Sequence, residues 1–188
     1  MTHAVKALKD SVSGTPNLYA GSVLRPATTN TLTPEFRREL TNALIKQDGA
    51  MLFLSIDQFY ELSSNFGAQA SDQIVNRVLQ AIRDRTRSSD ACCRYHDNIV
   101  VMLSNTNVAT AHQVADRMRE TMANLIFWLG REQQKITVTI GYTGISKGDN
   151  RESILARADL WLSDQLSHHQ VDTKKPGDGN RLMHLCIA

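Results

Sequence analysis

The stretch RSSDACCRYHDNIVVML, Arg87 to Leu103, gathers residue types that can do chemistry. Arg87 and Asp90 stand three apart, so at a helix end or in a turn both side chains can face one ligand. A guanidinium donates in a planar fork and a carboxylate accepts, so the pair suits a partner presenting both acceptors and donors. The bland alternative is a solvated ion pair worth under about 1 kcal/mol. Cys92, Cys93 and His96 are zinc-type ligands, but neighbouring residues on a strand point to opposite faces and cannot easily grip one ion. No metal site is expected. His96 in a turn reads as an exposed residue without a catalytic task, and His168 and His169 suit the negative end of a helix dipole.

Those residues need a scaffold. Residues 1–32, rich in Ser, Thr, Pro, Asn and Gly, read as a linker or arm with one short amphipathic piece, AVKALKDSV. Thr33 as N-cap, Pro34 at the first helical position and Glu35 in the first turn open a helix that Asp48 and Gly49 end. Ala50 to Ile56 is a buried central strand. A helix from about Ala70 to Thr86 leads into the RSSD turn, and ACCRY and IVVMLS form a hairpin around His96, Asp97 and Asn98. A long helix is expected over VATAHQVADRMRETMANLIFWL, a strand over KITVTIGYTG, a helix over RESILARADLWLSDQLSHH, a polar loop over VDTKKPGDGN and a last strand over RLMHLCI. Trp128 and Trp161 then fall on helical stripes as packing residues. A hairpin inside alternating strands and helices gives an α+β fold with a mixed central sheet, a βαββαβ core, flanked by helices. Residues 33–188 form the domain.

A chain of 188 residues with 41% hydrophobic and 21% charged residues supports one ordinary globular core. A net charge of +2 is too mild to imply nucleic acid. There is no apolar run of the roughly 18 to 20 residues that spans a bilayer, and the first residues lack the apolar core of a signal peptide. A cytoplasmic location is expected. Cys92, Cys93 and Cys186 make an odd set, which fits free buried thiols better than a disulfide framework.

Several segments occur in the order of one known family: LSIDQF, NFGAQASDQIV, RSSD, VADRMRETM, ITVTIGYTG, ILARADLWL and GNRLM. On these the chain resembles a GGDEF domain, the diguanylate cyclase fold of bacterial second-messenger signalling, from about Thr33 to Leu185. The resemblance also marks departures. The family's glycine-rich signature falls on His96, Asp97 and Asn98, one residue short, with side chains where glycine lets backbone approach phosphates. Its leading metal-binding aspartate falls on Ser55, leaving Asp57. Its guanine-reading asparagine falls on Ser63, while the aspartate partner is kept as Asp72. A lysine is replaced by Tyr60, and the helix from Ala156 to His168 lacks the family's phosphate-contacting lysine. Phosphoryl transfer leans on cations held by carboxylates. The expectation is therefore a chain that is not an enzyme, with no catalytic residue, no cofactor and no Mg2+, whose residual nucleotide site is Asp57, Ser63, Asp72 and Asp97.

The RxxD turn is kept. In the family it is the inhibitory site for the product, cyclic di-GMP, and the resemblance implies that Arg87 and Asp90 bind it. Arginine can donate to O6 and N7 of guanine, and a carboxylate can accept from its N1 and N2. Arg117 aligns with the family's secondary inhibitory-site arginine, with Arg119 as a reserve. The function expected is a cyclic di-GMP receptor that relays messenger level to a protein partner or an N-terminal regulatory domain, with a ligand pair able to bridge two domains or a homodimer. Two alternatives stay open: a GTP-binding allosteric module at the degenerate site, and a ligand-free dimerisation or docking module.

Overall fold

The computed structural model describes residues 32–129, 131–171 and 179–185. The helix start expected at Thr33 is there: its hydroxyl accepts from the Phe36 amide at 3.3 Å, and Pro34 opens α1 (Pro34–Lys46). Gln47 closes α1 in a left-handed conformation, so Gly49 already belongs to β1 (Gly49–Ile56). Gly49 is required where it stands. Its φ is 142°, and a Cβ there would come within 2.7 Å of the Met102 Cε. Along β1 the side chains alternate: Ala50, Leu52, Leu54 and Ile56 enter one core, Met51 and Phe53 the other.

Then follow α2 (Phe59–Arg83), β2 (Ala91–Tyr95), β3 (Asn98–Ser104), α3 (Val108–Ala123), β4 (Ile126–Leu129), β5 (Glu132–Lys135), β6 (Val138–Gly144), α4 (Arg151–Val171) and β7 (Leu182–His184). The main sheet runs β2-β3-β1-β6-β7, antiparallel except for the parallel β6–β7 pair. Helices α2 and α3 cover one face, where Ile74, Val78 and Met118 are fully or almost fully buried, and α1 and α4 cover the other through Phe36, Leu40, Ile154 and Trp161. This is the expected α+β sandwich with a mixed sheet.

Three elements differ from the sequence reading. Helix α2 begins at Phe59, not near Ala70, because a short helical segment joins it across a break at Gly67, whose φ is 81°. The helix expected through Leu129 stops at Ala123, with Asn124 as its cap; the β-branched and aromatic run that follows pairs instead with Glu132–Lys135 as a separate hairpin. Trp128 therefore lies on a strand and is 52% exposed, whereas Trp161 is buried on α4 as expected. The strand expected from Lys135 starts at Val138, since Lys135 is taken by β5.

Cys92 and Cys93 do face opposite cores, as their adjacency dictates. Burial pushes the Cys93 thiol up to about 11 and raises Cys92 as well, so both stay protonated at neutral pH. No described helix is long and apolar enough to cross a membrane. Residues 1–31, the polar loop over 172–178, Cys186 and the side chains of His168 and His169 lie outside the described residues.

Candidate functional site

The β2–β3 hairpin has a candidate site at each end, separated by a five-residue strand, roughly 15 Å of extended chain. At the start of β2 lies the RSSD turn. The Arg87 amide donates to Asp90 Oδ2 at 3.0 Å while the Asp90 amide donates to the Arg87 carbonyl at 3.0 Å, closing the turn on itself. Asp90 Oδ1 also accepts from the Ser104 amide at 3.2 Å, and the Ser104 hydroxyl donates to the Ser89 carbonyl at 2.8 Å. The end of β3 thus holds the turn in place. The Arg87 side chain is exposed and makes no hydrogen bond or ion pair among the described residues. Arg83 and Arg85 are exposed on the same helix end. A polar cleft of about 190 Å³ borders the turn, lined by Glu39, Asn42, Lys46, Asp48, Ser89 and Ser104 among others.

Arg117 stands exposed on α3, which packs on β6 rather than on β2, so it is not part of the same turn. Arg119, the reserve, is committed elsewhere: its guanidinium donates to Asp116 at 2.7 Å and to the Asn180 carbonyl at 3.5 Å.

At the other end of the hairpin, β2 and β3 are joined by His96 and Asp97 alone, with Tyr95 opposite Asn98. His96 adopts a φ of 56° to make so tight a turn. Arg94 is the residue that organises this end, and sequence reasoning passed over it. Alternation along β2 puts it on the Cys92 side, toward α2. There it donates to Asp72 at 2.8 Å, to Asp97 at 2.8 Å and to the His96 carbonyl at 2.7 Å. The signal was its position one residue before the turn on the α2 side of the strand. Tyr95 points the opposite way, where its hydroxyl donates to Asp159 on α4 at 2.7 Å. Burial first, then Asp159, raise the phenol well above its ordinary value.

Asp72 and Asp97 are therefore brought together, through Arg94. Asp57 is not. Its carboxylate is buried and accepts from the Thr137 hydroxyl at 2.5 Å, the Thr139 hydroxyl at 2.7 Å and the Asn180 amide at 2.7 Å. Gly179 packs so closely that a Cβ there would lie 2.4 Å from Asp57 Oδ2. Ser63 is half-buried in the segment of α2 before the Gly67 break, and Tyr60 there is 79% exposed. Among the described residues no three acidic, histidine or cysteine side chains are grouped to hold a metal ion. At this end Ser55 is neutral and the Asp57 carboxylate is engaged by three donors.

A sheet of this order, with a hairpin between α2 and α3 and the quoted motifs at its ends, matches a known family. The profile described as "Diguanylate cyclase, GGDEF domain" covers residues 28–170. The chain belongs to the GGDEF family.

Two relatives of this GGDEF chain are Diguanylate cyclase A of Treponema denticola, 28% identical over 134 residues (69% of this chain, 36% of that protein), and Diguanylate cyclase DgcP of Pseudomonas aeruginosa, 29% identical over 161 residues (84% and 22%). The chain thus spans little more than a third of the length of the first and less than a quarter of the second. The solved GGDEF domain of DgcB from Caulobacter crescentus, in complex with c-di-GMP, shares the fold at a TM-score of 0.65 and 19% identity, covering 86% of this chain and 95% of that one. These findings correct one expectation. The missing signature glycines and Ser55 led to a chain that is not an enzyme, but relatives at 28 and 29% identity are named diguanylate cyclases and point to an enzyme.

Proposed function

We propose that this GGDEF chain works in cyclic di-GMP signalling as a domain of the diguanylate cyclase class, and that it binds cyclic di-GMP at the turn Arg87–Asp90. The observation that carries the reading is how the two residues divide their bonds. Asp90 fixes the turn through the amides of Arg87 and Ser104, while the Arg87 guanidinium stands exposed and unpaired among the described residues. The turn backbone is ordered in advance, so binding has only the rotamers of the exposed Arg87 side chain left to fix. That group can fork onto the O6 and N7 of guanine or pair with a phosphate, both of which a cyclic dinucleotide offers. The neighbouring Arg83 and Arg85 add positive charge.

Arg117 supplies a second cationic contact, to the same ligand or to one held by a neighbouring copy. Bridging of that kind relays messenger level to a protein partner, an attached domain or a homodimer. In a cyclase it also lets the product report on its own level. The ligand is held by hydrogen bonds and ion pairs, so Mg2+ is not needed at this turn.

Equilibrium dialysis of labelled cyclic di-GMP against the full chain tests the reading. Wild type binds saturably and is unaffected by EDTA, Arg87→Glu abolishes binding, and Arg117→Ala weakens it by roughly tenfold, the worth of one charge-assisted contact. Full binding by Arg87→Glu contradicts the assignment.

A further inference from the structure

Tyr95 is the last residue of β2, and it is held at both ends. Its backbone pairs with Asn98, and its hydroxyl donates to Asp159 on α4 at 2.7 Å. The ring between is buried in the core that α1 and α4 cover, on the face of the sheet opposite Arg94. The raised phenol keeps its proton at neutral pH, so the hydroxyl remains a donor.

His96 comes next and makes the turn. Its φ of 56° is a conformation that residues with a Cβ rarely adopt. Arg94 Nε holds its carbonyl at 2.7 Å, so the backbone is tied and the side-chain rotamer is the freedom left. His96 is exposed, yet its imidazole stands edge-on to the Tyr95 ring, with centroids 4.8 Å apart and planes at 90°. That is a favoured geometry for an aromatic pair. A rotamer pointing the other way would carry the imidazole to the α2 side of the turn, where Asp72, Arg94 and Asp97 meet.

We propose that Tyr95 is a positioning residue that acts through His96: anchored to α4, its ring keeps the imidazole on the α4 side of the turn and leaves the α2 side clear for a substrate. The inference rests on the reading of the chain as a domain of the diguanylate cyclase class and is independent of the Arg87–Asp90 turn, at the opposite end of β2. Its rival is a tyrosine that fills the core and ties α4 to the sheet, with His96 an idle neighbour.

Removing the imidazole separates the two. Turnover of GTP is measured for wild type, Tyr95→Leu, His96→Gly and Tyr95→Leu combined with His96→Gly. Positioning predicts kcat/KM lowered about tenfold or more in Tyr95→Leu, and restored to within about threefold of wild type when His96→Gly is added. A loss that His96→Gly leaves in place, or no loss at all in Tyr95→Leu, overturns the inference. A wild type that turns over no GTP counts against the cyclase reading instead, and nuclear Overhauser contacts from the His96 ring then decide. They reach the Tyr95 ring in the wild type, weaken in Tyr95→Phe, which keeps the ring and loses its anchor, and shift to the Arg94 side chain in Tyr95→Leu. If Tyr95→Leu does not fold, Tyr95→Phe alone carries the comparison. An imidazole that keeps its place in the variants overturns the inference.

Discussion

The Asp57 carboxylate accepts from the Thr139 hydroxyl at 2.7 Å, across the boundary between β1 and β6. With the Thr137 hydroxyl and the Asn180 amide it forms a buried clamp that ties the end of the central strand to the segment leading into β7. Removing the acceptor leaves three donors unsatisfied. Asp57→Ala should cost about 3 kcal/mol, in the range for hydrogen bonds to a charged group, and free β7 first. Hydrogen exchange read against urea denaturation checks it: β7 amides lose protection before those of β1. Unchanged protection at β7 would show that the clamp is not what holds the strand.

The Arg157–Asp149 ion pair gives a pH prediction. Burial alone would raise the Asp149 carboxyl, but the Ser146 amide, Arg157 and Ser153 outweigh it and hold the group below its ordinary value of 3.8. A folded-state value below the unfolded one means stability that is present above about pH 4 and lost as pH falls through the folded value. Asp149→Asn should flatten the acid limb of the stability curve. Asp149→Ala, which strands Arg157, should cost about 3 kcal/mol and lower Tm by roughly 6–12 °C. Thermal melts between pH 3 and pH 7 test both, and an acid limb as steep in Asp149→Asn as in wild type would contradict the assignment.

Cys92 and Cys93 are buried and carry raised thiol values, so neither should react with a thiol reagent in the native state at pH 7.5. The reagent should modify them only after denaturant is added. Peptide mapping separates them from Cys186, and native modification of Cys93 would be the contrary result.

Much of the fold was legible because its signals are local and periodic. The Thr33-Pro34 start, the apolar run of β1 and the turn at His96–Asp97 each follow from side-chain chemistry within a few residues. The end of α3 was not legible, because the apolar run Ile126–Leu129 satisfies a helical stripe and a strand equally, and only its pairing with Glu132–Lys135 decides. The sites divide in the same way. Arg87 and Asp90 share one turn and could be read together. Asp57 draws on Thr137, Thr139 and Asn180, far away in sequence, and the Arg94 bridge to Asp72 spans 22 residues. Contacts of that range exist only after the sheet has formed.

Arg87 and Asp90 should also separate by stability. Arg87 is exposed and unpaired among the described residues, so Arg87→Ala should change stability by no more than about 0.5 kcal/mol. Asp90→Ala removes the acceptor for two amides and should cost about 1–2 kcal/mol. Urea melts of the two variants measure the difference. A large loss in Arg87→Ala would make that residue structural.

The most direct test is calorimetric titration of cyclic di-GMP into the wild-type chain and into Arg87→Ala, whose fold that melt will have verified. Saturable micromolar binding by the wild type, lost in the variant, is the result predicted. Equal binding by both, or no heat from the wild type, would contradict the central claim that this turn is where the messenger is held.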